Sequence, residues 1–172
     1  QMHDKINETL SFRKEVEKKD IVHVREIVKA TGFFNPAEID MAVELVTARL
    51  GGDLSYEFIF AEHNQMVAGY VCYGAITGTA ASYDLYWLAV LPSAQGKGIG
   101  SDLIRACETD ILHRGGRRVY VETSSRQQYH PTRAFYEKNG YTLAAQLDDF
   151  YAENDDKCIY VNILEEKGFQ NG

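Results

Sequence analysis

Cysteine is scarce in this sequence: three of its 172 residues are cysteines, Cys72, Cys107 and Cys158. They lie far apart, form no Cys-x-x-Cys pair and have no spacing typical of metal ligands. A fold held together by disulfides and a cysteine zinc site are therefore not expected. We expect three buried, reduced thiols and predict no metal-binding residues.

Long apolar runs are also missing. No segment approaches the roughly 20 apolar residues that a helix needs to span a bilayer. No basic segment followed by an apolar one stands near the first residue. These absences predict a soluble, cytoplasmic protein without a membrane partner.

Positive charge is in deficit. Lys and Arg number 18 against 25 Asp and Glu, which gives a formal net charge of -7. A protein of this charge does not attract nucleic acid, and the sequence has no basic stripe interleaved with aromatic residues, so nucleic-acid binding is not expected. A cationic binding partner fits this charge better.

Proline and linker-like segments are rare as well. The chain has three prolines, and no low-complexity tract or internal repeat divides it. Because 45% of its residues are hydrophobic, the chain can fill a core. We therefore expect residues 1–172 to form a single domain.

The pattern of apolar residues predicts two helices followed by a set of strands. The first helix opens at Asp20, and the second has Asn35 as its N-cap, with Pro36 and Glu38 in its first turn. Later helices are predicted after the strands that end near residues 91 and 123. Strands are predicted at 12–16, 56–62, 66–76, 83–91, 118–123, 141–147 and 157–163. This order predicts a mixed α/β sheet with helices on both faces.

A glycine-rich turn, Gln95-Gly96-Lys97-Gly98-Ile99-Gly100, joins the strand at 83–91 to the next helix. A helix N-terminus presents unpaired backbone N–H groups and the positive end of the helix dipole, which favour a pyrophosphate. Taken alone, the pattern is equally compatible with a simple tight turn.

Two other phosphate-binding loops do not fit these residues. A Walker loop requires Ser or Thr directly after its lysine, whereas Gly98 follows Lys97 and Ser101 comes four residues after it. A dinucleotide-binding fold requires the glycines after the first strand of a βαβ unit. Here several strands of antiparallel type come first.

The turn resembles the Gln/Arg-x-x-Gly-x-Gly/Ala signature of the GNAT N-acetyltransferase superfamily, and Val90-Leu91-Pro92 matches the usual approach to it. A second segment, Ala134-Phe135-Tyr136-Glu137-Lys138-Asn139-Gly140-Tyr141, is similar to the family's helix with Phe/Leu-Tyr-x-x-x-Gly-Phe/Tyr. The two motifs occur in the family's order, and the resemblance covers roughly residues 56–160.

This resemblance implies the GNAT fold, a central mixed and mostly antiparallel sheet of six to seven strands with helices on both faces. A V-shaped splay is implied between the fourth and fifth strands, and acetyl-CoA is implied as the co-substrate. The residues that the resemblance places at coenzyme A are Leu88, Ala89, Val90, Gln95, Gly96, Lys97, Gly98, Ile99, Gly100, Ser101, Arg133 and Tyr136.

Three residues are implied in the chemistry. The Leu88 amide would donate to the developing oxyanion, and Tyr136 would stabilise or protonate the leaving thiolate. Asp84 is the only charged residue in the apolar run 83–91, and it resembles the position where histone-type relatives place a glutamate base. The alternative is a structural aspartate bonded to a neighbouring loop.

The sequence departs from the family at one position. Relatives often have an asparagine six or seven residues before the tyrosine, in contact with the pantetheine arm. Here Tyr129 and His130 stand at that place, followed by Pro131. We interpret His130 as a surface or helix-capping residue rather than a base.

These observations predict an N-acetyltransferase, monomeric or homodimeric, that transfers acetyl directly from acetyl-CoA to a primary amine of a small molecule or peptide in a ternary complex. Carboxylates around Phe150-Tyr151 favour a cationic acceptor, although a solvated loop gives the same pattern; they are Asp148, Asp149, Glu153, Asp155 and Asp156. The alternative function is a non-catalytic acyl-CoA-binding regulatory module. Such a module needs the turn but has no use for Asp84 and Tyr136.

Overall fold

The computed structural model describes residues 10–165. Short 3-10 turns lie at Pro92–Ala94 and at Gln127–Tyr129. The helices and strands in chain order are β1 (Leu10–Arg13), α1 (Asp20–Ala30), α2 (Pro36–Leu50), β2 (Glu57–His63), β3 (Met66–Ala75), β4 (Ser82–Val90), α3 (Ile99–His113), β5 (Arg118–Ser124), α4 (His130–Lys138), β6 (Thr142–Ala152) and β7 (Asp155–Ile163).

The seven strands of the described region form one sheet in the order β1-β2-β3-β4-β5-β7-β6. β4 and β5 run parallel, whereas β1 with β2, β5 with β7, and β6 with β7 run antiparallel. The predicted mixed α/β architecture with a mostly antiparallel sheet of six to seven strands is confirmed.

The described residues fall into two compact units. The first contains residues 10–72 and 87–103, and the second contains 73–86 and 104–165. The expectation of a single domain over residues 1–172 stays a prediction.

The first unit has a core of helix and strand side chains. α2 begins with the predicted capping box, in which the Asn35 side chain accepts from the Glu38 amide (2.9 Å) and the Glu38 side chain accepts from the Asn35 amide (3.3 Å). The buried side chains come from α1, α2, β2, β3 and β4; they are Val24, Ile27, Val28, Ile39, Ala42, Val43, Val46, Phe58, Phe60, Val67, Tyr70, Cys72 and Ala89.

A buried carboxylate, Asp20, ties β1 to α1 within the first unit. The Arg13 guanidinium donates to both of its oxygens at 2.8 Å and also donates to Glu62 of β2 at 2.6 Å. Burial alone would raise the pKa of Asp20, but hydrogen bonds from Arg13 and from the Glu17 amide hold the pKa below its usual range. The carboxylate therefore stays charged where β1, β2 and α1 meet.

The second unit is held together by hydrogen bonds between its helices and strands. Tyr73 of β3 donates to Asp110 of α3 at 2.6 Å. Glu108, also on α3, accepts from the Tyr141 hydroxyl (3.2 Å) and from Asn162 of β7 (2.5 Å). These bonds fix α3 against the strands of its own unit.

The last two strands are longer than predicted. The sequence predicted strands at 141–147 and 157–163 with a charged loop between them, whereas β6 and β7 continue to Ala152 and from Asp155. Asp149 and Asn154 adopt positive φ angles of 52° and 61°, and the Asn154 amide donates to the Asp149 carboxylate at 2.9 Å. Polar side chains thus shape this hairpin. Because they interrupt the alternation of apolar and polar residues on which strand prediction depends, the ends of these strands were not predicted.

We predict that Gly116→Ala destabilises the fold. An added Cβ would overlap Ile111 Cγ2 and lie 2.8 Å from the Tyr83 ring, so its neighbours would have to shift. Overpacking of this kind costs about 1–3 kcal/mol, to be measured as the free energy of unfolding in urea. The matched control is Gly51→Ala, where φ is -76° and the nearest atom is 3.4 Å away. Equal unfolding midpoints for the two variants would contradict the prediction.

Candidate active site

Strand β4 pairs with β5 only at its start. Ser82, Tyr83 and Asp84 lie opposite Arg118, Val119 and Tyr120, and within the described residues the register gives no β5 partner to the rest of β4. The Leu91 amide donates to the Ala68 carbonyl of β3 at 2.8 Å. Backbone alternation then directs the amides of Leu88 and Val90 to the edge of β4 that faces away from β3. The short register is what the predicted splay between the fourth and fifth strands requires.

The bonds between β3 and β4 also indicate a β-bulge. Ser82 accepts from the Ile76 amide at one end, and Leu91 donates to Ala68 at the other. Between these two bonds the β4 side advances by one residue more than the β3 side, which is the count of a bulge. A bulge re-aims the backbone groups that follow it.

β3 approaches β4 closely at Gly69. A Cβ at this position would lie 2.9 Å from the Ala89 carbonyl oxygen and 3.1 Å from Val90 Cγ2. Only glycine fits this contact, which holds the end of β4 against β3. Sequence analysis missed Gly69, although a lone glycine inside an apolar strand is the signal for such an approach.

Two glycines give the turn before α3 its shape. Gly96 and Gly98 have φ angles of 80° and 78°, in the left-handed region that favours glycine. Among the described residues, no heavy atom lies within 4 Å of where a Cβ would stand on either glycine. The Asp102 amide donates to the Gly98 carbonyl at 3.0 Å, so α3 begins directly after an exposed backbone.

This turn fits the pyrophosphate of coenzyme A. Amides of the first turn of α3 have no carbonyl partner within the helix, and the helix dipole adds positive potential there. Gln95 donates from Nε2 to the Val90 carbonyl at 3.4 Å, which links the turn to the end of β4. Lys97 is exposed, and Ser101 is half-buried in the first helical turn. The individual contacts assigned to residues 95–101, and to Leu88, Ala89 and Val90, stay predictions.

In the second unit, Asp84 lies where the pairing of β4 with β5 ends. Its side chain is half-buried; burial raises the pKa of the carboxyl, the charge of Glu122 raises it further, and Lys157 lowers it. Within residues 10–165 no hydrogen bond joins this carboxylate to a neighbouring loop, although the structural alternative requires one. A carboxyl of raised pKa without hydrogen-bond partners suits a proton acceptor.

Tyr136 is buried on α4. Its ring packs edge-on against Phe135 and Tyr141, with centroids 5.5 Å apart in both pairs. Burial raises the pKa of the phenol well above its usual value, and Cys107 contributes in the same direction. The hydroxyl is therefore protonated at neutral pH, the state required of a hydrogen-bond donor.

The start of α4 is held by Arg133. Its Nη1 donates to the Ser124 carbonyl at 2.7 Å and to the Arg126 carbonyl at 3.0 Å. Part of its donor capacity thus holds the turn between β5 and α4, and its contact with coenzyme A stays a prediction. The centroid of the Tyr129 ring lies 5.8 Å from Arg126 Cζ. His130 is the exposed first residue of α4.

The predicted acidic cluster lies on the β6–β7 hairpin, and three of its carboxylates are used within it or beside it. Asp149 accepts from the Asn154 amide, and Asp156 accepts from Gln146 (2.7 Å) and from the Asp149 amide (2.9 Å). Asp155 accepts from the Ser124 hydroxyl. Most of the acidic run therefore shapes the hairpin rather than remaining available to an acceptor.

No helix within residues 10–165 is long and apolar enough to span a membrane. No group of three or more His, Cys, Asp or Glu side chains in this part of the chain could hold a metal ion. The three cysteines are buried, as expected.

Comparison with known proteins gives a family match and a set of similar structures. Residues 55–143 match the family model described as acetyltransferase (GNAT) domain. A solved structure assigned to the GNAT acetyltransferase family, from Desulfovibrio desulfuricans, is 42% identical with a TM-score of 0.88. The match covers 90% of this chain and 99% of that chain. No curated protein matches the chain.

Two more distant structures share the fold alone. An aminoglycoside 6'-N-acetyltransferase complexed with coenzyme A is 16% identical, with a TM-score of 0.74 and coverage of 92% of this chain and 98% of that chain. The ribosomal-protein-S18-alanine N-acetyltransferase from Escherichia coli is 17% identical, with a TM-score of 0.72 and coverage of 94% and 98%. The family model and the 42% identical relative show that this chain belongs to the GNAT acetyltransferase family, whose co-substrate is acetyl-CoA.

Proposed function

We propose that this protein is an N-acetyltransferase that passes the acetyl group from acetyl-CoA directly to a primary amine of a small molecule or peptide in a ternary complex. Membership of the family supports acyl transfer, and the turn before α3 supports binding of coenzyme A. The observation that supports catalysis, rather than binding alone, is the state of Asp84. It is a half-buried carboxyl of raised pKa, and among the described residues no hydrogen bond joins it to a loop. A cytoplasmic location and a monomeric or homodimeric state stay predictions.

Acetyl-CoA supplies an acetyl group activated as a thioester, and the first unit offers the residues to bind it. Backbone amides of the turn Gln95 to Gly100 would hold the pyrophosphate, with Lys97 adding charge. The Leu88 amide, which faces away from β3, would donate to the acetyl oxygen as negative charge develops there. Gly69 keeps the backbone of this part of β4 in place.

Asp84 would solve the problem of amine protonation. A lysine-type amine with a pKa of ~10.4 is less than about 0.1% neutral at pH 7, whereas an α-amine of pKa ~7.7–8.0 is roughly 9–17% neutral. The carboxylate would take the proton that the amine loses as nitrogen bonds to the acetyl carbon. Its raised pKa makes it a better acceptor for that proton.

Tyr136 would donate a hydrogen bond to the leaving sulfur. Even an unperturbed phenol of pKa ~10 gives its proton to a thiolate of pKa ~8.5 uphill by about 2 kcal/mol. Burial raises the pKa of this phenol further, so full transfer is still less favourable. Stabilisation by a hydrogen bond is therefore the role that we assign to it.

The acceptor amine is to be found by experiment, because proteins of this fold act on small molecules and on proteins. The net charge of -7 favours a cationic acceptor. The test is a screen with acetyl-CoA over polyamines, aminoglycosides, amino acids and short peptides, with release of free thiol as the readout. Turnover above the no-acceptor rate supports the proposal. Tight binding of acetyl-CoA without turnover on any acceptor supports the non-catalytic acyl-CoA-binding module instead.

We predict that Gly98→Glu abolishes binding of coenzyme A. The carboxylate would occupy and repel the pyrophosphate site at the N-terminus of α3. Calorimetry with coenzyme A measures the loss. Gly78→Glu is the control, because Gly78 has a similar φ of 83° and equally open surroundings but lies outside the turn. If both variants bind equally well, the turn is not the site.

We predict that Tyr136→Phe lowers kcat by roughly 100-fold and leaves the affinity for acetyl-CoA within a few-fold. The substitution removes only the hydroxyl and keeps the ring contacts with Phe135 and Tyr141. Steady-state kinetics measures both parameters. Tyr141→Phe is the matched control. It loses the bond to Glu108, so we expect its main effect to be on the free energy of unfolding rather than on kcat. Unchanged kcat in Tyr136→Phe would reduce Tyr136 to a packing residue.

We predict that Asp84→Asn lowers kcat/KM by ~10²–10⁴ and that the loss shrinks as pH rises, because more of the acceptor is then already neutral. A carboxyl of raised folded pKa favours folding below its unfolded pKa and loses that contribution as pH rises through the folded value. The amide should therefore keep or raise the melting temperature at pH 7. The measurements are pH–rate profiles and thermal unfolding of both proteins. A destabilised variant with a parallel profile would show a structural aspartate.

A further inference from the structure

Strand register in the second unit places Asp84, Glu122 and Lys157 on one face of the sheet. Asp84 lies opposite Tyr120 in the parallel pair of β4 and β5, and Ser124 lies opposite Lys157 in the antiparallel pair of β5 and β7. Side chains alternate along a strand, so Asp84, Glu122 and Lys157 share this face. They come from three different strands of the unit.

Lys157 is held in place on this face. Its ammonium lies 3.0 Å from Glu122 Oε1 and 4.3 Å from the centroid of the Phe150 ring. The lysine side chain is 15% exposed, against 49% for Glu122. A positive charge on β7 is thus kept under an aromatic ring and bonded to Glu122 of β5, the strand that pairs with the start of β4.

Stability alone does not account for this arrangement. An ion pair with an exposed carboxylate contributes little to stability, and covering an ammonium removes part of its hydration. A role toward Asp84, which shares the face, does account for it. Both Lys157 and Glu122 act on Asp84 electrostatically, with opposite signs.

We propose that Lys157 and Glu122 are positioning residues for Asp84: Lys157 favours the ionised carboxylate that accepts the amine proton, and Glu122 anchors Lys157 while opposing that ionisation. This inference rests on the proposed function, because it assigns a partner pair to the proposed base. It predicts that the two residues, when changed, move the ionisation of Asp84 in opposite directions.

Tyr120 and Arg118 of β5 share this face with Asp84, and further titratable groups approach it from neighbouring elements. On the β6–β7 hairpin, burial raises the pKa of Tyr151, and the charge of Glu122 raises it further. Tyr151 therefore interacts with Glu122 rather than directly with Asp84. On β3, the neighbour of β4, the Tyr73 hydroxyl donates to Asp110 of α3. Among the described residues, the charged groups that act on Asp84 are Glu122 and Lys157.

The first test is independent of catalysis. The ionisation midpoint of the Asp84 carboxyl is measured by carbon-13 NMR in the full chain, with its signal identified by its loss in Asp84→Asn. Lys157→Met keeps the methylene contact with Phe150 and should raise the midpoint, and Glu122→Gln should lower it. We expect each shift to be about half a pH unit or more, as one nearby charge typically gives.

Three further variants make the NMR result specific. The double variant with both changes should lie between the single ones, and Lys157→Arg should restore the wild-type midpoint. Lys138→Met removes the same charge from the last turn of α4 and should leave the midpoint unchanged. Unmoved midpoints in both single variants, or shifts of the same sign, would overturn the inference. Glu122→Gln alone still tests it if Lys157→Met fails to fold.

The second test separates this inference from the proposed function. The acid limb of the kcat/KM profile, measured on the best acceptor, should move with the NMR midpoint in each variant. A limb that stays fixed while the midpoints move removes Asp84 as the base but still supports its control by Lys157 and Glu122. A limb and midpoints that all stay fixed overturn that control.

Discussion

The parallel pairing of β4 with β5 covers three residue pairs and ends at Asp84, and the candidate site depends on that end. The backbone amides of a strand inside a sheet normally donate hydrogen bonds to both neighbouring strands. A strand without a neighbour on one side therefore presents a row of unpaired donors there. Between the bonds of Ser82 and Leu91, β4 has one residue more than β3, and such a bulge re-aims the backbone that follows it. Gly69 then holds the following segment against β3, since any side chain there would meet Ala89.

Two aspartates of this chain show how surroundings separate structural from chemical carboxylates. Asp20 is fully buried, yet the Arg13 guanidinium and a backbone amide donate to it, and its pKa lies below the usual range. Asp84 is only half-buried, and its pKa is raised; within residues 10–165 no hydrogen bond lowers that pKa. The first is held in its charged form, whereas the second takes up a proton more readily than an ordinary carboxylate. That contrast, rather than burial itself, supports a chemical role for Asp84.

Local sequence predicted the features that local sequence controls. The capping box at Asn35 and the glycine-rich turn before α3 involve residues three to five apart, so their side chains and φ requirements can be recognised directly. The contact of Lys157 with Glu122 depends on the register of β5 with β7, and no local pattern encodes it. The close packing of Gly116 against Tyr83 likewise joins distant parts of the chain. The second half of β6 was missed because turn-type polar residues stand inside a strand.

For a cationic acceptor, the relevant carboxylate is Glu122 on the sheet face rather than those of the β6–β7 hairpin. Asp149, Asp155 and Asp156 serve the hairpin and its neighbours through hydrogen bonds, so their negative charge is largely committed to local structure. Glu122 is more exposed than the lysine that it binds, and it stands two residues from the partner of Asp84 in β5. A cation arriving at this face would meet a carboxylate already balanced by Lys157. A cationic amine would then have to replace the Lys157 ammonium at Glu122. Such replacement favours selection among amines over strong electrostatic attraction of any cation.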